Sequence, residues 1–252
     1  GIGWLGRDRI VSTAVSAKGF IDVRKIAPSR GQRPYLGLGR NAVPKSLPAR
    51  QDECDWPLST WTNPISQREL EVAAGLLGAS PGSVITTDAF SDTGLKAIPA
   101  LSDYRVLHFA THGLVTAPRP ECPARPALLT SFGAEGSDGL LSFREIFDLR
   151  LDADTVILSA CDTAGMATIE ATRDAGIATG GNFALDGLVR AFVGAGARAV
   201  IASHWPVPDD FKATETLISG MFGEAEIGVG EAMRRVQNRM MDNPLTSHPY
   251  YW

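Results

Sequence analysis

The stretch RVLHFATHG at residues 105–113 decides the fold, together with TVILSACDT at residues 155–163 and AVIASHW at residues 199–205. Each stretch begins with a run of mostly apolar residues, which is typical of a strand buried on both faces of a sheet. Each then continues into residues that can carry chemistry, namely histidine or cysteine. Since parallel strands end at a common edge where ligands bind, we expect these trailing residues to lie close together.

Helical patterns separate these strands, and further elements are predicted before and after them. The predicted helices cover residues 18–25, 66–77, 91–98, 142–148, 184–195, 210–221 and 230–241, and the other predicted strands cover residues 11–15, 35–39 and 83–86. Ser66 and Glu69 have the spacing of a capping box, and the proline-rich residues 40–62 predict a long loop. The pattern predicts an α/β fold, with a mostly parallel central sheet and helices on both faces.

Composition and charge exclude several classes of protein. The 252 residues carry a formal net charge of −4, whereas a nucleic-acid-binding domain would carry a basic surplus. The sequence contains no apolar run of about 18 residues that could span a membrane. Three cysteines are too few and of the wrong parity for a disulfide framework. We therefore expect Cys54 and Cys122 to be incidental and the protein to be cytoplasmic, in a reducing compartment.

His112 and Cys161 are the candidate catalytic pair, because they follow two of the predicted strands. A thiol with the reference pKa of about 8.5 is only slightly ionised at neutral pH. A nearby imidazole can take its proton and later deliver a proton to a leaving group. Gly113 has no Cβ, so its N–H can approach a reacting carbonyl closely, and with the N–H of Cys161 it would form an oxyanion hole.

Four ordered motifs resemble one known family. They are LHFATHG at residues 107–113, VILSACDT at residues 156–163, GLVRAFVGAGARAVIASHWPV at residues 187–207, and HPYYW at residues 248–252. Together they resemble the CHAT domain, a caspase-like cysteine peptidase family related to caspases and separases. The resemblance implies the caspase–hemoglobinase fold and the hydrolysis of peptide bonds, with His112 as base and Cys161 as nucleophile.

The resemblance also bears on organisation. We expect residues 1–62 to form N-terminal strands and a linker, and residues 63–252 to form the caspase-like catalytic core, within one continuous domain. Members of the family usually continue with one more short apolar segment after the position of Trp252, so we expect that the last sheet element is missing here. They often carry helical repeats upstream, which predicts an upstream or partner sensor module.

A peptide substrate is expected to pair as an extended strand beside residues 202–205. The expected substrate-binding residues are Ser203, His204, Trp205, Asp138, Asp162 and Asp209. The aspartates, with Asp210, suggest a basic side chain at P1, the residue before the scissile bond. Separases place an acidic residue directly after the Trp of the corresponding run, where this chain has Pro206.

Several alternatives remain open from the sequence. The chain could be a catalytically silent scaffold, or a hydrolase of non-peptide acyl groups. His204 could contact substrate or be solvated, and Asp138 could belong to a turn or to the substrate rim. His108 is expected to be a hydrogen-bonded core residue rather than a zinc ligand, and no metal or cofactor is predicted. Residues 164–182 are predicted to form an activation loop.

Overall fold

The computed structural model describes residues 4–14, 16–44, 53–115, 117–123, 125–133, 136–160, 182–203, 212–224 and 227–252, and only the backbone of residues 182–186. The strands are β1 Arg33–Asn41, β2 Val84–Thr87, β3 Tyr104–Ala110, β4 Gly113–Leu114, β5 Ala127–Leu129, β6 Leu140–Ser142, β7 Thr155–Ser159 and β8 Val200–Ala202. The α-helices are α1 Ala17–Val23, α2 Arg68–Leu76, α3 Asp92–Lys96, α4 Phe143–Asp148, α5 Asn182–Ala195, α6 Ala213–Phe222 and α7 Val229–Asp242. Short 3₁₀ helices cover Leu5–Arg7, Leu58–Trp61, Leu101–Asp103 and Pro249–Tyr251.

The central sheet has five strands in the order β2, β1, β3, β7 and β8, and every neighbouring pair is parallel. Its three chemistry-bearing strands are the ones that the sequence predicted, and β7 covers the TVILS run with which the second stretch begins. The expected α/β architecture with a mostly parallel sheet is therefore confirmed.

Helices cover both faces of this sheet. On one face Phe109 of β3 packs against Phe192 of α5, with ring centroids 5.2 Å apart, and both side chains are fully buried. On the other face Ile157 of β7 lies in a buried cluster with Ile218 and Met221 of α6. A strand in the middle of such a sheet must be apolar on both sides, which explains the continuous apolar runs in the sequence.

A second, antiparallel sheet consists of β4, β5 and β6 in that order. This sheet could not be predicted from the sequence, because strands of two or three residues are too short to show an alternating pattern. β6 leads directly into α4, whose N-cap Ser142 forms a capping box with Glu145. The helix predicted at residues 142–148 is therefore confirmed with its cap.

Two expectations for the first third of the chain are wrong. Residues 11–14 form no strand. No capping box forms at Ser66, because α2 begins later, with Gln67 as its N-cap. The Glu69 carboxylate instead lies 3.4 Å from Nε2 of His108, so tertiary packing has taken the side chain that a local cap would use.

The expectation that Cys54 and Cys122 are incidental is also wrong. They form a disulfide across 68 residues, with their Cα atoms 5.4 Å apart. Such a pair depends on two loops meeting in space, which the spacing of the cysteines does not reveal. In the chain-entropy estimate, a closed loop of this length stabilises the folded protein by about 4 kcal/mol.

Across the described ranges, none of the helices combines the length and the apolar character that crossing a bilayer requires.

The buried pair of aromatic rings gives a test of the core. We expect Phe109→Ala to lower the free energy of unfolding by about 3–5 kcal/mol, since it removes a fully buried ring and leaves a cavity. Phe147→Ala is the matched control, because Phe147 is 55% exposed on α4 and should lose much less. Chemical denaturation measures both. Equal losses would contradict the packing of Phe109 against Phe192.

Candidate active site

The pairing of β3 with β7 positions the candidate site. The register runs from Val106 opposite Thr155 to Ala110 opposite Ser159. The ladder continues one residue beyond both strands, because the Thr111 N–H donates to the Ser159 carbonyl at 3.2 Å. The segments that follow the two strands therefore start at the same edge of the sheet.

His112 is held at this edge by main-chain groups. Its side chain is buried, and Nε2 lies 2.6 Å from the carbonyl oxygen of Asn63. A carbonyl oxygen only accepts a hydrogen bond, so Nε2 carries the proton and Nδ1 holds the lone pair of the neutral ring. Asn63 thus selects the tautomer in which Nδ1 is the basic nitrogen.

The backbone around His112 is fixed by the small sheet. The hydroxyl of Thr111 donates to the carbonyl of Leu129 at 2.6 Å, and the N–H of Leu129 donates to the carbonyl of His112 at 2.9 Å. β5 therefore holds His112 in place from the side opposite to the central sheet.

Gly113 lies against the residue that precedes Cys161. A Cβ placed on Gly113 would be only 2.8 Å from the carbonyl oxygen of Ala160. This approach is closer than real Cβ contacts allow, so the position requires glycine for reasons of space. Gly113, next to the candidate base, is therefore in direct contact with Ala160, the residue before the candidate nucleophile.

Several predicted site residues lie outside the described residues. They are Cys161, Asp162, His204, Trp205 and Asp209, with Asp210 and most of the predicted activation loop. Ser203 is described and follows β8, whose Ala202 pairs with Leu158 of β7. It therefore stands one position beyond the neighbouring strand, next to the edge where His112 lies.

Asp138 lies in a turn before β6. Its Oδ1 accepts a hydrogen bond from the N–H of Leu140 at 2.9 Å. The residue is exposed, but partial desolvation of the carboxylate raises the pKa of Asp138, and the charges of Asp92 and Glu145 add to this increase. β6 is separated from β4 by β5, so Asp138, just before β6, lies two strand spacings, roughly 10 Å, from β4, the strand that follows His112.

His108 is a core residue, as the sequence predicted. It is fully buried, and its Nδ1 lies 3.0 Å from the Tyr35 hydroxyl. Burial, with a contribution from the Glu69 carboxylate, raises the pKa of Tyr35 far above its ordinary value, so the hydroxyl keeps its proton and can donate to Nδ1. Within the ranges that the structure covers, no group of three or more His, Cys, Asp or Glu side chains could hold a metal ion.

The role of the segment that carries Asn63 was not predicted from the sequence. This segment is anchored by Trp61, whose indole N–H donates to the Thr130 carbonyl at 2.8 Å and whose own carbonyl accepts from Asn41 at 3.0 Å. Asn63 acts through a backbone atom that every residue possesses, so its identity carries no information. The tryptophan in the predicted loop was the one visible indication that the segment packs against the core.

The comparison with known families agrees with this geometry. The family model for the CHAT domain matches residues 2–252. The chain therefore belongs to the CHAT domain family, a caspase-like cysteine peptidase family, and its parallel sheet flanked by helices is the caspase-like fold of that family.

Two curated proteins are similar to this chain. Tetratricopeptide repeat protein 28 of Homo sapiens is 28% identical over 228 residues, and that of Mus musculus is 28% identical over 231 residues. Each match covers 75% of this chain but only 8% of the relative, so the chain corresponds to a small part of a long protein. No solved structure matches.

The close approach of Gly113 to Ala160 is testable. We expect Gly113→Ala to lower the free energy of unfolding by about 1–3 kcal/mol, because the new methyl group forces two backbones apart. Gly75→Ala is the matched control, since nothing lies within 4 Å of that position in α2 and the change should stabilise the helix by up to about 1 kcal/mol. Thermal and denaturant unfolding measure both, and a Gly113→Ala protein as stable as the control would contradict the contact.

Proposed function

We propose that the protein is a cysteine endopeptidase that hydrolyses peptide bonds through a Cys161–His112 dyad. In this mechanism Nδ1 of His112 takes the proton of the Cys161 thiol, and the thiolate attacks the carbonyl carbon of the scissile bond. The imidazolium then gives its proton to the leaving amine, and water hydrolyses the acyl-enzyme. The N–H groups of Gly113 and Cys161 stabilise the oxyanion, at about 3 kcal/mol for each donor.

One observation carries the proposal. The Asn63 carbonyl accepts the Nε2 proton of a buried His112, which leaves Nδ1 as the base, at the edge where β7 leads into Cys161. This tautomer supports the proposal, because the mechanism needs a ring nitrogen whose lone pair can take the proton of the thiol. The contact between Gly113 and Ala160 supports the same pairing, because each residue is adjacent to one member of the dyad.

The substrate would be a protein or peptide, bound as an extended strand beside β8. Main-chain pairing next to residues 202–205 would place the scissile bond between the dyad and the edge of the sheet. Ser203, His204 and Trp205 would line the cleft. Asp138, Asp162 and Asp209 would favour a basic P1 side chain.

Regulation would come from an upstream or partner sensor module. The relatives are named as tetratricopeptide repeat proteins and are far longer than this chain, which supports a helical-repeat partner. A sensor that acts on the predicted activation loop, residues 164–182, could switch the site on by a shift in population. We place this activity in the cytoplasm.

A catalytically silent scaffold is the second candidate function. The names of the curated relatives favour it, because they mention tetratricopeptide repeats and no catalytic activity. The presence of both dyad residues and the fixed tautomer of His112 favours the peptidase.

The dyad is tested by covalent labelling. A peptidyl electrophile such as an acyloxymethyl ketone should label the wild-type protein at Cys161 and fail to label Cys161→Ala. His112→Ala should slow labelling by about 10²–10⁴-fold, which is the usual contribution of a general base. His248→Ala is the matched control, because this exposed histidine caps a terminal 3₁₀ helix. Labelling that does not depend on His112 would contradict the peptidase and favour the scaffold.

The P1 preference is tested with a peptide library. We expect cleavage after Lys or Arg, with the preference reduced in Asp138→Asn. Since the pKa of Asp138 is raised, its negative charge and the part of the preference that depends on it should decline as the pH falls, beginning above the ordinary carboxylate range near 3.9. A strong preference for apolar or acidic P1 residues would rule out this assignment.

A further inference from the structure

The disulfide lies next to the contact that orients His112. Asn63 lies nine positions after Cys54, and Cys122 lies ten positions after His112. The hydrogen bond between Asn63 and His112 closes these two short segments at one end, and the disulfide closes them at the other. The candidate base and its orienting carbonyl therefore belong to one small cross-linked ring.

A packed cluster gives a second connection. Trp56 follows Cys54 by two residues and is buried with Trp61, Leu114 and Leu129. Leu114 itself follows His112 by two residues and is fully buried. A shift of the chain near Cys54 is therefore transmitted to the backbone of the candidate base by packing as well as by the hydrogen bond.

The bond is accessible from one side. Cys122 is only 6% exposed, whereas Cys54 is partly exposed, so an attacking thiolate would reach the Cys54 sulfur. Trp61 keeps its separate hydrogen bonds to Thr130 and Asn41, so opening the disulfide would loosen the segment without releasing it. The fold can then persist in both redox states.

We propose that the Cys54–Cys122 disulfide is a redox-responsive bond that controls the position of His112 and hence the rate at the site. The catalytic part of this inference rests on the proposed function. In a reducing compartment the disulfides that occur are usually redox-sensing rather than structural, which fits the cytoplasmic placement proposed above. The oxidised form is the one in which Asn63 orients His112.

The redox partner is a dithiol. Its first thiolate attacks the sulfur of Cys54, which breaks the protein disulfide, forms a mixed disulfide and releases Cys122 as a thiolate that takes up a proton. The second thiol, as its thiolate, attacks the mixed disulfide and releases Cys54, which is protonated in turn. The protein gains two electrons and two protons, and the dithiol becomes a disulfide. Oxidised glutathione reverses the change and is itself reduced to two thiols.

The first measurement is the redox state. The whole chain, purified without reductant and denatured, should show one free thiol by Ellman's reagent, since two of its three cysteines are paired. Treatment with dithiothreitol followed by desalting without oxygen should raise the number to three. Three free thiols before reduction that remain three after treatment with oxidised glutathione would overturn the inference.

The second measurement follows His112 itself. ¹⁵N chemical shifts of the imidazoles report the tautomer of each of the four histidines. We expect the His112 signals to change between the oxidised protein and the Cys54→Ser/Cys122→Ser variant, while the signals of His108 and His248 stay constant as internal controls. Unchanged His112 signals would contradict the inference, whatever the catalytic activity.

The third measurement is the alkylation of Cys161 by iodoacetamide as a function of pH, resolved by mass spectrometry. In the oxidised protein the reaction should remain fast below pH 8, because an oriented imidazole stabilises the thiolate. In the double variant the rate there should fall by about tenfold, the order expected for a displaced catalytic group. Cys54→Ser and Cys122→Ser alone should each give the same loss, since each removes the same bond.

The outcomes separate the two proposals. A Cys161 rate that does not depend on His112 in the oxidised protein contradicts the peptidase, but His112 signals that still respond to reduction would keep the redox coupling. A rate that depends on His112 equally in both redox states supports the peptidase and overturns the coupling. Far-UV circular dichroism of every variant confirms that the fold is retained.

Discussion

The parallel pairing of β3 with β7 is the constraint on which the site depends. These strands come from parts of the chain almost fifty residues apart, and their register fixes which residues leave the sheet together. A shift of one residue would turn the buried side chains of either strand to the opposite face. Because Phe109 packs against α5 while Ile157 packs against α6, each face selects the observed register.

Main-chain groups hold both the ring and the backbone of His112. The Asn63 carbonyl accepts the Nε2 proton, the Leu129 N–H donates to the His112 carbonyl, and the preceding Thr111 bonds to both Leu129 and Ser159. Main-chain donors and acceptors on packed elements have little rotational freedom, so they fix an imidazole more firmly than flexible side chains could. The small sheet of β4, β5 and β6 thus supports the backbone from which the His112 side chain projects.

The large elements and the candidate base could be predicted from the sequence, because buried parallel strands leave long apolar runs and HFATHG is a specific motif. The small sheet, the role of Asn63 and the disulfide could not. They depend on strands of two or three residues, on a backbone atom, and on two loops that meet only in the folded chain. Glu69 shows the same limit, since its spacing from Ser66 predicted a local cap, but its carboxylate lies beside the buried His108 instead.

The place of β1 in the central sheet has a consequence for how the protein can be divided. β1 precedes the long proline-containing segment, yet it lies between β2 and β3, with hydrogen bonds to both. A fragment that begins at residue 63 would lack an interior strand and would expose the open edges of β2 and β3. Such edges recruit strands from other molecules, so the fragment would aggregate rather than fold as a smaller version of the whole.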